Sequence, residues 1–228
     1  MANLFDLNQV YLENVTLLQP GTDPVLQGVD FELPADQTVV IESSNPNSSL
    51  QFLQFLSGAR PCTSGRILWN GQDIFADEHE VDPHSIMGAY FEGGHHYSNV
   101  TVKAFLTQFA TPEELQVICE HLDLTPYLNN ELGKVSYSVQ KLIFMTQAIA
   151  RNPQMLLLED PASGLTEAQW LNFLDLIQYK QRAGHLRHIF MTNHHPTAMN
   201  HIGHNKLFLE EGIIYFDETA PTKKVAHF

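Results

Sequence analysis

The sequence predicts an α/β fold with an antiparallel β subdomain and a short α-helical subdomain. Short strands rich in β-branched residues alternate with apolar-faced helices along most of the 228 residues, which is the pattern of an α/β core. Two further strands, Val10–Leu18 and Val25–Leu33, are joined through a Pro-Gly turn and predict an antiparallel pair. Helical segments without strands between them, Lys103–Gln108, Pro112–Leu122 and Lys134–Arg151, predict the helical subdomain.

The composition excludes several classes of protein. The formal net charge of −14 argues against nucleic-acid binding and against direct binding to an anionic membrane surface. No run of 18 or more apolar residues occurs, so we expect no direct membrane insertion. Two cysteines, Cys62 and Cys119, indicate reduced thiols rather than a disulfide framework. Because the N-terminus has no basic segment, we expect no signal peptide and a cytosolic chain.

The segment around which the chain is organised lies at residues 38–73. Thr38–Glu42 predicts a strand, Ser43–Ser49 a polar loop, and Leu50–Ser57 a helix that ends at a glycine. Thr63–Ile74 follows and contains an Asn-Gly hairpin turn. This order resembles the opening of an ATP-binding cassette (ABC) ATPase, in which a Walker A loop holds the nucleotide phosphates. The alternative is an ordinary loop in an unrelated α/β domain.

The resemblance implies one P-loop NTPase domain over residues 1–228, with a core at 1–91 and 152–228 and a helical subdomain at about 92–151. Yet the residue types with which the family binds nucleotide are missing from the loop. Ser49 stands where the family carries its phosphate-binding lysine, and Leu50 where a hydroxyl holds Mg²⁺. The glycine positions fall on Ser43, Pro46 and Ser48. The nucleotide-contacting positions implied here are Ser43, Asn45, Asn47, Ser48, Ser49, Leu50 and Gln51.

Losing two or three charged hydrogen bonds weakens binding by about 3–6 kcal/mol. We therefore expect no cofactor, with ATP and Mg²⁺ bound weakly at most. Ser48 and Gln51 have the spacing of a capping box, which predicts that the helix caps its own N–H groups instead of lending them to a phosphate. Leu17, Leu18 and Gln19 occupy the region where the family stacks an aromatic ring on adenine.

The most specific match is the segment Arg151–Leu165, which resembles the Walker B strand and the D-loop after it. Its acidic pair is inverted, because Glu159 stands where an aspartate holds Mg²⁺ and Asp160 where a glutamate orients water. Asp160 is one methylene too short, and such a misplacement can lower a rate by about 10²-fold. The alternative is a solvated acidic turn after a core strand.

Two other motifs are also altered. The segment after the strand Ile86–Phe91 resembles the Q-loop, with Glu92 in place of the glutamine. In the signature motif only Ser136 remains, and Tyr137 replaces a glycine, so its side chain would obstruct a partner's γ-phosphate. Gly94 followed by Tyr97 is most similar to the lipid-transport (Mce-associated) branch of the family.

The switch histidine of the family falls on Asn193 in strict register, or on His194 after a slip of one residue. His201 and His204 lie nearby with helical spacing, so a metal site is one interpretation and surface histidines are the other. We assign no metal ligand. The catalytic positions implied by the resemblance are Asp160, Glu159, Glu92 and His194.

These features lead to one hypothesis and two alternatives. The hypothesis is a pseudo-ATPase subunit of an ABC transporter. It would pair with a transmembrane permease subunit, as a homodimer or as a heterodimer with an intact ATPase subunit, on the inner face of the cell membrane. The first alternative is a divergent but active ATPase, and the second is a soluble assembly or regulatory protein that kept only the fold.

Overall fold

The computed structural model describes residues 6–18, 21, 23–74, 76, 82–93, 99–193 and 205–217. The strands in these ranges are β1 (Val10–Leu17), β2 (Leu26–Glu32), β3 (Gln37–Ser43), β4 (Ser64–Trp69), β5 (Gln72–Asp73), β6 (Met87–Tyr90), β7 (Met155–Leu158), β8 (His188–Thr192), β9 (Lys206–Glu210) and β10 (Ile213–Asp217). The α-helices are α1 (Pro46–Leu56), α2 (Pro83–Ile86), α3 (Val102–Leu106), α4 (Pro112–Leu122), α5 (Tyr137–Ile149) and α6 (Glu167–Arg182).

The strands form two sheets. An antiparallel sheet of order β2-β1-β4-β5 contains the predicted N-terminal pair. A second sheet has the order β10-β9-β3-β8-β7-β6, and its neighbours are parallel except β9 and β10. Asn70 and Gly71 both have positive φ in the turn between β4 and β5, as an Asn-Gly hairpin turn requires. The predicted α/β core with an antiparallel subdomain is confirmed.

The parallel strands divide the core into two layers because successive side chains point to opposite faces of a sheet. Val39, Ile41 and Leu157 pack with α1 and the antiparallel sheet. Val40 and Leu156 face the other way and pack with α4, α5 and α6. Because β3, β8 and β7 are parallel neighbours, their carboxyl ends meet at one edge of the sheet. Ligand sites of open α/β folds lie at this edge.

Several element boundaries differ from the sequence prediction. The helix predicted from Leu50 begins at Pro46, and α5 is shorter than the predicted Lys134–Arg151. A short helix, α2, precedes β6. The helix Pro112–Leu122 has the predicted bounds, and the Thr111 hydroxyl accepts a hydrogen bond from the Glu114 N–H. Within the ranges that the structure describes, no helix is long and apolar enough to cross a membrane.

Candidate functional site

The loop between β3 and α1 contains only Ser44 and Asn45. Asn45 is extended and caps the helix, because its side chain accepts a hydrogen bond from the Asn47 N–H at 3.1 Å. Pro46 occupies the first turn, where its fixed φ favours a helix and its missing N–H costs nothing. The predicted Ser48/Gln51 capping box is therefore wrong, since an asparagine cap followed by proline starts the helix earlier.

The predicted phosphate-contacting residues are divided by this early helix start. Ser43, Asn45 and Ser48 line one cavity, whereas Ser49 and Gln51 are buried inside the protein. Leu50 is half-buried and Asn47 is exposed on the first turn. Within the described ranges, no hydrogen bond or ion pair joins a lysine or arginine side chain to residues 43–51. The loop therefore offers neither a row of free N–H groups nor a cation.

The adenine region shows no aromatic platform among its described residues. The Leu17 side chain is buried in the core, and Leu18 is exposed. The Leu18 carbonyl oxygen accepts a hydrogen bond from Arg60 at 3.2 Å. Gln19 lies outside the described residues.

The acidic pair follows β7 directly. The Glu159 carboxylate accepts a hydrogen bond from the Glu92 N–H at 2.8 Å. Asp160 is buried with a φ of 38°, and its N–H donates to the Thr192 hydroxyl at 3.0 Å. Hydrogen bonds thus connect both residues to the ends of the neighbouring strands β6 and β8. The alternative of a solvated acidic turn does not apply to Asp160, because this residue is buried.

A lysine that the sequence analysis did not single out completes this site. The Lys141 ammonium group, on α5, lies 2.5 Å from Glu92 Oε1 and 2.7 Å from the Asp160 carbonyl oxygen. Its side chain is only 1% exposed, and the ammonium group lies 5.7 Å from the centre of the Tyr90 ring. Burial, with the Glu92 carboxylate as a further cause, raises the pKa of the Tyr90 phenol. The sequence signal was a lone lysine in the apolar run of α5.

Tyr137 covers the same site from the outside. Ser136 caps α5 by accepting from the Val139 N–H at 3.4 Å, which leaves Tyr137 as the first residue of the helix and 61% exposed. Its hydroxyl lies 3.4 Å from Glu92 Oε1. Partial burial and the Glu92 charge raise the pKa of the Tyr137 phenol. The ring packs so closely on Gly164 that a Cβ atom there would lie 2.8 Å from Tyr137 Cε1.

The structure therefore brings together Glu92, Glu159, Asp160 and Tyr137 around Lys141. Asn193 follows β8 and is described, whereas His194 lies outside the described residues, as do Gly94, Tyr97, His201 and His204. No group of three or more potential metal ligands occurs in the described ranges.

Comparisons with known proteins agree on one family. The family model described as "ABC transporter" matches residues 26–163. An ABC transporter ATP-binding protein of Bacillus cereus is 23% identical over 218 residues, which cover 92% of this chain and 38% of that protein. The ABC transporter ATP-binding protein YtrE of Bacillus subtilis is 24% identical over 203 residues, which cover 84% of this chain and 87% of YtrE.

A solved structure shows the same fold. A dimeric bacterial ABC transporter cassette superposes with a TM-score of 0.73 at 14% identity, covering 93% of this chain and 99% of that one. This chain spans little more than a third of the length of the Bacillus cereus protein, but most of the length of YtrE.

Proposed function

The chain belongs to the ABC transporter family, and from that premise we propose that it is a cassette subunit that keeps the nucleotide-binding fold without turning over ATP. It would act as a structural or regulatory partner in a membrane transport complex. The observation that carries this proposal is the position of the Lys141 ammonium group between Glu92 and Asp160.

The Lys141 ammonium group lies against Glu92 and the Asp160 carbonyl oxygen, where the acidic residues of a cassette would face a metal ion. A divalent ion close to this ammonium group would be repelled, and the repulsion is stronger in a partly buried site than in water. The Glu92 carboxylate is already paired with Lys141, and the Glu159 carboxylate already accepts a hydrogen bond from the Glu92 N–H. These residues do not fit a Mg²⁺ ion, and we derive no hydrolytic step from them.

The loop before α1 supports the same proposal from the phosphate side. A phosphate-binding helix N-terminus needs free N–H groups that point at the ligand. Here Pro46 has no N–H, the Asn47 N–H is bound by the Asn45 side chain, and the Ser48 N–H donates to the Asn45 carbonyl oxygen at 2.9 Å. The triphosphate of ATP would therefore meet a capped helix, and ATP does not fit this loop.

The proposed partners follow from the family. We propose a transmembrane permease subunit, and a second cassette that is either another copy of this chain or an intact ATPase subunit. The similarity to a dimeric cassette supports the second part. In such a complex the chain would lie on the inner face of the cell membrane. Assignment to a lipid-transport branch rests on Gly94 and Tyr97, outside the described residues, and stays a prediction.

Phosphate release tests the proposal against the alternative of a divergent ATPase. The purified chain is incubated with Mg-ATP beside a Glu159→Gln/Asp160→Asn variant, which removes both acidic groups and keeps their size. We expect the two proteins to release phosphate at the same background rate. A rate for the natural chain that is clearly above that of the variant would refute the proposal and support an active site built from these carboxylates.

A further inference from the structure

The helical subdomain shares its hydrophobic core with the α/β core. One cluster of buried side chains contains residues of both parts: Val102 on α3, Ile118 on α4, Leu142 on α5, Leu156 on β7 and Ile189 on β8. Separating the two parts would expose this apolar surface to water, which is unfavourable. We propose that the helical subdomain and the α/β core move as one rigid body, held at two places by the buried lysines Lys141 and Lys180. The inference goes beyond the proposed function and does not depend on whether the chain hydrolyses ATP.

The helix α5 and the strand β6 approach each other backbone to backbone. Gly88 of β6 faces the last turn of α5, and a Cβ atom at this position would overlap the Ala148 carbonyl oxygen. Glycine has no Cβ atom and therefore permits this approach. Because closely packed interiors transmit a displacement instead of absorbing it, a shift of α5 would carry β6 with it. The packing alone thus resists sliding of the helical subdomain along the edge of the sheet.

Lys141 provides the first polar connection, at the carboxyl ends of β6 and β7. Its ammonium group donates to the carbonyl oxygen of Asp160, which follows β7, at 2.7 Å. It also pairs with Glu92, whose own N–H donates to the Glu159 carboxylate. Because the Lys141 side chain is only 1% exposed, solvent does not replace these acceptors after a small shift of α5. Such a shift would leave a buried charge without its partners, which is strongly unfavourable.

Lys180 provides the second connection, at the opposite end of β7. This lysine lies on α6 in the core, and its side chain is also 1% exposed. Its ammonium group pairs with the Glu114 carboxylate in the first turn of α4 and lies 2.5 Å from the side-chain oxygen of Asn152, in the turn between α5 and β7. Burial lowers the pKa of Lys180, and the Glu114 carboxylate opposes this change. The lysine therefore connects α4, α6 and the turn before β7.

The helix α4 is also held at its other end. The Asn172 side chain, in the first half of α6, donates to the Asp123 carboxylate just after α4 at 3.2 Å. Lys180, near the end of α6, contacts the start of α4. The two helices therefore run antiparallel and are joined near both ends. A partner that binds the exposed face of α4 would meet a surface whose position relative to the sheet is fixed.

Amide hydrogen exchange at increasing urea concentrations tests this inference. In the natural chain we expect the middle of α4 and the strand β8 to have protection factors within about threefold of each other, because parts of one rigid body exchange through the same global unfolding. Lys180→Met should lower the protection of α4 relative to β8 by about tenfold or more. The matched control is Lys134→Met, which replaces an exposed lysine of the helical subdomain and should leave this ratio unchanged. The double variant Glu114→Gln/Lys180→Met removes both charges of the buried pair and takes the place of the single variant if that one does not fold.

The inference is overturned if α4 of the natural chain exchanges far faster than β8 at a rate that urea does not change, because the helical subdomain then opens by itself. It is also overturned if the Lys180 variants change the ratio of protection factors no more than Lys134→Met does. Neither result depends on nucleotide. Phosphate release above background would contradict only the proposed function, whereas independent opening of α4 would contradict only the inference about the rigid body.

Discussion

The Lys141 ammonium group binds the Glu92 carboxylate at 2.5 Å, and it also donates to the carbonyl oxygen of Asp160. A residue of the helical subdomain thereby joins the ends of β6 and β7. This contact satisfies a buried lysine, which would otherwise be costly, because a buried ammonium group needs both a counter-charge and hydrogen-bond acceptors. The same contact fills the acidic site from inside the protein.

Replacing Lys141 with methionine should lower the free energy of unfolding by about 1–3 kcal/mol, because the Asp160 carbonyl oxygen loses its buried donor and the half-buried Glu92 carboxylate loses its partner. Urea unfolding measures this change. The control is Lys134→Met, which removes a lysine from an exposed pair with Glu131 and should have little effect. Equal effects of the two substitutions would show that the Lys141 contact does not stabilise the fold.

Gly164→Ala should lower the free energy of unfolding by about 2–3 kcal/mol, because alanine is strained at a φ of +72° and its Cβ would clash with the Tyr137 ring. Gly184 has a similar φ of +77° with no atom nearby, so Gly184→Ala should show only the backbone cost of about 1 kcal/mol. In a Tyr137→Ala background the two glycine substitutions should cost the same. A clash that persists without the ring would contradict the packing of Tyr137 on Gly164.

Acidification should destabilise the protein partly through His188. Burial lowers the pKa of this side chain, which is fully buried at the start of β8. A lowered pKa means that the unfolded chain binds the proton more readily, so stability falls as the pH drops below the ordinary value of about 6.5. At pH 5.5 this contribution is at most about 1.4 kcal/mol, the value reached when the folded side chain stays fully neutral.

Urea unfolding at pH 8 and pH 5.5 checks the role of His188. The His188→Asn variant should lose less stability between the two pH values than the natural chain does. His185→Asn, at an exposed position, provides the matched control and should retain the full pH dependence of the natural chain. If both variants respond to pH as the natural chain does, His188 is not the group responsible.

The sequence predicted those parts of the fold that local patterns determine. Thr111 before a proline and an apolar-faced helix is a local signal, and α4 has the predicted bounds. Two short apolar segments around a Pro-Gly turn likewise predicted the N-terminal antiparallel pair, β1 and β2. The start of α1 was missed because two caps compete within four residues, and Asn45 followed by Pro46 is the stronger one.

The interior of the candidate site was harder to predict. The acidic residues were found because their motif is contiguous in the sequence. Lys141 was missed because its partners, Glu92 and Asp160, lie 49 and 19 residues away. A lysine within an apolar run signals only that its charge needs a partner; the fold decides which partner lies within reach. The positive φ of Asp160 also has no local sequence signal.

Calorimetric titration of Mg-ATP into the purified chain tests the central claim most directly. With the acidic site occupied by Lys141 and the helix N-terminus capped by Asn45, we expect a dissociation constant weaker than about 1 mM, which is a binding free energy of less than about 4 kcal/mol. Heat that saturates with a dissociation constant in the low micromolar range would contradict the account.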